Sequence, residues 1–145
     1  MADTRIEIGA HSKIGADAQR VRDAVFCVEQ RISKELERDS YDAAATHAVL
    51  YENDVPVSVG RIIHKENAYF IGRVSTLKTY RGKGYGSRIV KALVDWAFAH
   101  DISEVQLHSQ KHAEDFYSKL GFQSYGAVFY EAGIEHISMV ITREA

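Results

Sequence analysis

Apolar residues recur at the spacing of one helical face in three segments of the chain. The spacing predicts helices over residues 16–30, 86–100 and 112–120. In the first segment the apolar face would consist of Ala18, Val21, Val25 and Val28. Gly121 follows the third segment, where a helix C-terminus favours a residue that tolerates a positive φ, so we expect that helix to end there.

Runs rich in β-branched and aromatic residues predict strands over residues 46–51, 55–63, 68–77 and 105–109. Residues 122–141 predict two further strands joined by a hairpin. The run 68–77 is apolar over most of its length, which is typical of a central strand covered on both faces. The order of these elements predicts a layered domain of mixed helices and strands, of the α/β or α+β class.

Length and composition are those of one globular domain. The chain has 145 residues, of which 46% are hydrophobic and 26% charged, so it is long enough to bury a core without disulfides. We expect residues 1–145 to form a single domain. The 18 basic and 20 acidic side chains leave a net charge of −2, which gives no bulk attraction to nucleic acid or to an anionic membrane. We therefore expect neither as a partner.

Cysteine use and hydropathy predict a cytoplasmic protein. Cys27 is the only cysteine in the sequence, so no intrachain disulfide can form, as is usual in a reducing compartment. The first residues have no apolar core of a signal peptide. No apolar run approaches the roughly 20 residues that cross a bilayer. His108 and His112 share no helical face, and with one cysteine we expect no metal site.

A glycine-rich turn over residues 81–87 separates the strand that ends at 77 from the helix that follows. Its three glycines allow a sharp turn and a close approach of a ligand to the backbone. The free N–H groups of the first helical turn bind phosphate well, and Arg81 and Lys83 add positive charge. The spacing fits neither a P-loop nor a dinucleotide-binding fingerprint. The turn therefore predicts a phosphate site, or else a plain helix start with two solvated cations.

Two motifs resemble those of the GNAT superfamily of N-acyltransferases. The pattern Arg81-x-x-Gly84-x-Gly86 is similar to the acetyl-CoA signature of that family, and residues 113–122 resemble its A-x-x-F-Y-x-x-x-G-F helix. The likeness covers roughly residues 46–141, and residues 25–30 and 132–139 further resemble a bacterial subgroup. The resemblance implies a mixed, splayed central sheet flanked by helices, and an acetyl-CoA-dependent N-acetyltransferase.

The resemblance also implies how acetyl-CoA is held as the acyl donor. The CoA pyrophosphate would lie on the turn formed by Arg81, Gly82, Lys83, Gly84, Tyr85, Gly86 and Ser87. The pantetheine arm would pair with the strand residues Val74, Ser75, Thr76 and Leu77. A main-chain N–H near Thr76 or Leu77 would then face the thioester carbonyl.

Tyr117 is the residue that the resemblance places near the CoA sulfur. A phenol has a reference pKa of about 10, so it stays protonated at neutral pH and can donate to a departing thiolate. Tyr117 also occupies an apolar position of its predicted helix, and packing in the core is the alternative role. As a catalytic residue it would act as a general acid or as an orienting hydrogen-bond donor.

The sequence does not single out a general base. Many members of the family place a glutamate on the strand before the CoA loop, but residues 67–77 contain no acid. Deprotonation then requires a water chain, an amine that is already neutral, or another residue. The candidate side chains are Glu29, Asp39, Asp42, His47 and His136. Histidine has the reference pKa best suited to the task, at about 6.5.

Arg61 and Arg73 interrupt apolar strands, where a guanidinium must pair with an anion or reach a cleft. They would either form internal salt bridges with acids such as Glu29, Asp39 and Asp42, or hold a carboxylate or phosphate of the acceptor. Residues 29–42 carry five acids, and in the family the corresponding region borders the acceptor cleft. We therefore expect Glu29 in particular, with Arg61 and Arg73, to contribute to acceptor binding.

These features predict direct transfer of an acetyl group to the primary amine of a small molecule within a ternary complex. The near-neutral chain shows no extended basic or apolar surface for a macromolecular acceptor. Homodimers are common in the family, so a homodimer is a further expectation. The alternative is an acyl-CoA-binding sensor or structural protein without turnover, which the missing strand glutamate keeps open.

Overall fold

A computed structural model describes residues 2–144, and within them seven strands form one mixed sheet flanked by helices. The strands are β1 (Thr4–Ala10), β2 (Thr46–Glu52), β3 (Val55–Lys65), β4 (Ala68–Thr76), β5 (Glu104–Gln110), β6 (Gln123–Glu131) and β7 (Ile134–Thr142). The α-helices are α1 (His11–Arg22), α2 (Lys34–Glu37), α3 (Tyr85–Ala99) and α4 (Glu114–Lys119). A π-helix, Asp23–Glu29, continues α1, and 3₁₀ turns occupy Asp42–Ala44, Lys78–Tyr80 and Lys111–Ala113.

The sheet opens between its two central strands. The strand order is β1-β2-β3-β4-β5-β7-β6, and only β4 and β5 are parallel neighbours. These two strands pair through Phe70 with Gln106 and Ile71 with Leu107, and then diverge. Directly after the last pair, β4 bulges against β3 and Arg73 adopts a φ of 53°. The predicted mixed and splayed sheet is thereby confirmed.

Two apolar clusters hold the helices on opposite faces of the sheet. Ile89 and Leu93 of α3 lie with buried sheet residues such as Leu107 and Met139 in the larger cluster. The smaller cluster holds α1 against β2 and β3, and consists of Ile14, Ala18, Val21, Val25, Val49, Tyr51 and Val59. No helix within residues 2–144 is long and apolar enough to cross a membrane.

The predicted helix over residues 16–30 differs most from the structure. The helical region begins at His11 and changes to a π-helix at Asp23, where Gln30 N–H donates to the carbonyl of Val25. Because a π-helix holds more residues per turn, it moves later side chains out of the predicted face. Val25 is buried, but Val28 is 75% exposed.

The first strand was absent from the sequence-based prediction. In β1, Ile6 and Ile8 alternate with Arg5 and Glu7, and the strand pairs along its length with β2. The region predicted as a helix over 112–120 forms a 3₁₀ turn followed by the shorter α4. The strand predicted over 68–77 is central, but it is largely half-buried, because part of β4 borders a cleft.

Candidate active site

A cleft of about 1110 Å³ lies where β4 and β5 diverge. Residues of β4 and the glycine-rich turn line one side of it, and residues from β5 to β7 line the other. The π-helix and the segment that leads to α2 also border it. The cleft therefore joins the predicted cofactor residues to the predicted acceptor region.

The backbone of the glycine-rich turn requires its glycines. Gly82 and Gly84 have φ angles of 82° and 78°, in the left-handed region that side chains with a Cβ rarely adopt. A Cβ at either position would meet no atom within 4 Å, so both face open space. Gly84 is the N-cap of α3, and no side chain caps that helix end. The first N–H groups of α3 can thus serve an anionic ligand.

The cations of this turn are paired with carboxylates. Arg81 donates to both carboxylate oxygens of Glu29, at 2.6 and 2.5 Å, and its Nε donates to the carbonyl of Thr76 at 3.0 Å. The hydrogen bond from Arg81 lowers the pKa of Glu29. Lys83 Nζ lies 3.4 Å from Glu52. The structure therefore places Glu29 against the predicted phosphate site.

The backbone of β4 distinguishes the two N–H groups expected to face a thioester. Leu77 N–H donates to the carbonyl of Val57 on β3, at 2.9 Å, and is already used. Backbone groups alternate in direction along an antiparallel strand, so the N–H and C=O of Thr76 are directed away from β3, toward the opening. The bond from Arg81 to the Thr76 carbonyl agrees with this direction.

Tyr117 lies on α4 and lines the same cleft. Its ring makes edge contacts with Phe116 and Phe122, with centroids 4.9 and 6.0 Å apart. Burial raises the pKa of Tyr117 to about 12, because the phenolate would lose hydration. The hydroxyl therefore stays protonated at neutral pH and can only donate to an anion.

A network of arginines and acids holds α1, α2, β3 and β4 together beside the cleft. Arg61 is 3% exposed and binds Asp39 and Asp42, with contacts of 2.5 to 2.8 Å. Arg22 is 1% exposed and binds Glu37 at 2.6 Å and Asp42 at 2.7 Å. For Arg61 the structure thus shows the internal salt bridges that the sequence left as one alternative.

Arg73 lines the cleft, as Arg61 does, but its side chain is much less buried than those of Arg22 and Arg61. Its Nε and Nη2 donate to the backbone carbonyl of Glu37, at 3.1 and 2.8 Å, and Nη2 lies 3.3 Å from Asp39. The side chain is 29% exposed. Burial lowers the pKa of Arg73, and the charge of Arg61 adds to this. It is the arginine of this network that an anionic part of an acceptor could reach.

The candidate general bases differ in their partners and in whether they line the cleft. Glu29, Asp39 and Asp42 are each paired with arginine. His47 is 1% exposed, and its Nε2 lies 3.2 Å from both the ring of His11 and the carbonyl of Asp42. His47 does not line the cleft, whereas His136 does.

His108 and Glu131 are among the polar residues that line the cleft and were absent from the predicted site. The signal for His108 was present in the sequence of β5. There Gln106, His108 and Gln110 alternate with the buried residues Val105, Leu107 and Ser109. Successive side chains of a strand point to opposite faces of the sheet. A polar face on an interior strand therefore indicates that this face borders a cleft. Nothing local in the sequence links Glu131 to this face.

Comparison with known proteins agrees with this geometry. A family model described as "Acetyltransferase (GNAT) domain" matches residues 12–143. The chain is 35% identical over 125 residues to the uncharacterized N-acetyltransferase YjcF of Bacillus subtilis, covering 86% of this chain and 89% of that protein. It is similar to the crystal structure of Escherichia coli ElaA, with a TM-score of 0.86, 26% identity, and coverage of 96% and 99%.

The fold is also that of an acyl-CoA N-acyltransferase from Pseudomonas aeruginosa, with a TM-score of 0.83, 24% identity, and coverage of 98% and 100%. These matches confirm the resemblance carried by the two sequence motifs. Membership of this family implies a CoA thioester as the acyl donor and a second substrate that accepts the acyl group. The chain therefore belongs to the GNAT family of acetyltransferases and is an acyltransferase enzyme.

Proposed function

We propose that this enzyme transfers an acetyl group from acetyl-CoA to the primary amine of a small molecule, with both substrates bound together. The observation that carries the proposal is that three features line one cleft: the open glycine turn at the start of α3, the free edge of β4, and Tyr117. Direct transfer needs the donor, the acceptor and the leaving sulfur to share one space.

The donor is held by the backbone more than by side-chain charge. The pyrophosphate lies on residues 81–87, where the free N–H groups and dipole of α3 attract it. The pantetheine arm lies along residues 74–77. Phe116 and Tyr117 also line the cleft, and both pack against the larger apolar cluster.

The Thr76 N–H supports the transition state by donating to the thioester oxygen as negative charge develops on it. A preorganised donor of this kind typically contributes about 3–4 kcal/mol to lowering the barrier. Tyr117 donates its hydroxyl proton or a hydrogen bond to the sulfur as the carbon–sulfur bond breaks. The raised pKa of Tyr117 keeps its hydroxyl protonated at neutral pH, as either role requires.

The acceptor enters from the side of the arginine and acid network. Arg73 is placed to contact an anionic group of the acceptor, while Asp39 and Glu29 provide negative charge nearby for its amine. Arg61 acts there through Asp39, which it holds at 2.5 Å. A cleft of about 1110 Å³ accommodates the end of the cofactor and a metabolite-sized amine.

The test measures thiol release from acetyl-CoA with a panel of primary amines, alongside thermal unfolding with acetyl-CoA alone. We expect turnover of at least one amine. At an acetyl-CoA concentration 100 times its Kd, stabilisation should be about 3 kcal/mol. Stabilisation without turnover of any amine would favour the acyl-CoA sensor instead. Absence of stabilisation would contradict both functions.

A further inference from the structure

An imidazole and a carboxylate meet in the cleft at the point where the sheet opens. His108 directly follows Leu107, the last residue of β5 that pairs with β4. Leu107 faces the core beneath α3, so His108 points to the opposite face of the sheet. There its Nδ1 lies 2.9 Å from Glu131 Oε1. The two side chains are 39% and 48% exposed and both line the cleft.

The surroundings fix the orientation of this imidazole. Phe70 and Phe129 contact the ring of His108 edge-on, with centroids 5.5 and 5.1 Å away. Glu131 ends β6 directly before a two-residue turn, in which Ala132 and Gly133 have φ angles of 51° and 74°. Such a turn fixes the register of the hairpin, and with it the position of the carboxylate.

The contact with Glu131 also fixes the tautomer of His108. A carboxylate accepts a hydrogen bond, so the neutral imidazole carries its proton on Nδ1 and its lone pair on Nε2. No hydrogen bond from another group of residues 2–144 engages Nε2, and the ring borders the cleft. This arrangement of carboxylate, imidazole and free Nε2 is that of a general base.

His136 does not offer an equivalent nitrogen. Its Nδ1 donates to the carbonyl of Ile134 at 2.7 Å, so the lone pair of the neutral ring is again on Nε2. That atom lies 3.9 Å from the second oxygen of Glu131, and the side chain is only 9% exposed. His136 therefore faces the carboxylate, while Nε2 of His108 remains available to a substrate.

We propose that His108, oriented by Glu131, is the general base that removes the proton from the acceptor amine. This inference rests on the proposed acetyl transfer and names the base that the strand before the CoA loop lacks. His108 would be a catalytic residue, and Glu131 a positioning residue that acts through it.

The proton and electron balance of the step is complete. The amine nitrogen attacks the thioester carbon, and a carbon–nitrogen bond forms while the carbonyl oxygen becomes an oxyanion at Thr76 N–H. Nε2 of His108 takes the proton from the attacking nitrogen. The oxyanion then reforms the carbonyl, the carbon–sulfur bond breaks, and the sulfur receives a proton through Tyr117. Solvent restores both side chains, and the products are the amide and free CoA.

A protonated imidazole has no lone pair to accept the amine proton, so kcat should fall toward acidic pH. Besides Glu131 on β6, the charged or titratable groups near His108 are His136 on β7 and Arg73 on β4, and both of these act on Glu131. Replacement of His108 should remove this acidic limb from the pH profile of kcat, which does not report the ionisation of the free amine.

The test uses the full chain, acetyl-CoA, and whichever amine among ethanolamine, putrescine, lysine and glucosamine it turns over. H108Q should lower kcat by roughly 10²- to 10⁴-fold with the KM for acetyl-CoA unchanged. E131Q should lower kcat by roughly 10- to 100-fold. The control is H64Q, which alters a histidine outside the cleft that stacks on Tyr69, and it should keep full activity.

A rescue experiment separates proton transfer from a structural role. In H108G, added imidazole should restore part of the rate, which would not happen if the ring only supported the fold. Full activity of H108Q, or a pH profile that keeps its acidic limb, would overturn the assignment of the base and leave acetyl transfer standing. Turnover of no amine by the unaltered protein would overturn the proposed transfer and the base with it.

Discussion

Asp42 joins the two buried arginines of the network beside the cleft. One of its oxygens accepts from Arg22 at 2.7 Å and from Arg61 at 2.8 Å, and both arginines are buried. Burial alone would raise the pKa of Asp42. The hydrogen bond and charge of Arg22, together with those of Arg61, outweigh burial and lower the pKa from 3.8 to about 2.

This pKa gives the expected loss of stability in D42N. A difference of one pKa unit corresponds to about 1.4 kcal/mol, so the ionised carboxylate contributes about 2 kcal/mol to the free energy of unfolding at neutral pH. The asparagine keeps the size but not the charge, and Arg22 and Arg61 keep their other partners, Glu37 and Asp39. We therefore expect D42N to lose about 2 kcal/mol at pH 7.

The pH dependence has a definite sign. A carboxyl whose pKa is lower in the folded state stabilises the fold fully above its unfolded pKa, and this contribution is lost as the pH falls toward its folded pKa. For Asp42 the window runs from about pH 4 to about pH 2, and roughly half of the contribution is gone at pH 3. The difference between the native protein and D42N should shrink accordingly.

The assay is urea denaturation at pH 7 and pH 3, followed by the fluorescence of Trp96, the only tryptophan. D54N is the matched control, since Asp54 is 87% exposed and pairs with Arg5 at the surface. It should change the free energy of unfolding by less than about 0.5 kcal/mol. Equal stability of D42N and the native protein at pH 7 would refute the reasoning, as would an undiminished difference at pH 3.

Three other substitutions test the glycine-rich turn, the proposed general acid and the apolar core. In G84A the loop relaxes from its left-handed conformation, and acetyl-CoA must restore it at a cost of about 1–2 kcal/mol, so Kd measured by calorimetry should rise roughly 5- to 30-fold. Y117F should lower kcat at saturating acetyl-CoA by roughly 100-fold or more, because no proton or hydrogen bond reaches the sulfur. G60A should lose about 1–3 kcal/mol in urea denaturation, since its Cβ would lie 2.8 Å from Ile89.

Each of these variants has a matched control in the same chain. Gly126 also has a positive φ and open space around it, so G126A should lose stability without changing the Kd of acetyl-CoA. Tyr130 is 70% exposed, so Y130F should keep kcat. Gly72 meets no atom within 4 Å, so G72A should leave the free energy of unfolding within about 1 kcal/mol. The reasoning fails wherever a variant and its control behave alike.

The parts of the site that the sequence predicted are those whose chemistry is local. Gly82 and Gly84 lie two residues apart, directly before the helix that follows them, so a short pattern contains the whole turn. The location of Tyr117 on a helix was predicted for the same reason, because its motif spans only residues 113–122. The strands were predicted well wherever a single run of β-branched residues formed them.

The parts that the sequence did not predict depend on distant partners. Glu131 lies 23 residues from His108 along the chain, and only the pairing of β5, β6 and β7 brings them together. The partners of Arg61 remained alternatives, because residues 39 and 42 reach it only through the fold of the acidic segment. The exposed position of Val28 follows from the π-helix, which the assumed period of 3.6 residues cannot represent.

Only two residue pairs join β4 to β5, and the seam between these strands divides the sheet into an N-terminal and a C-terminal half. Every other strand pair lies within residues 4–76 or within residues 104–142. Each half of the sheet can therefore assemble from its own antiparallel contacts, and α3 then docks across both through Ile89 and Leu93. Non-local parallel pairing slows folding, and this fold confines it to the seam beside the cleft.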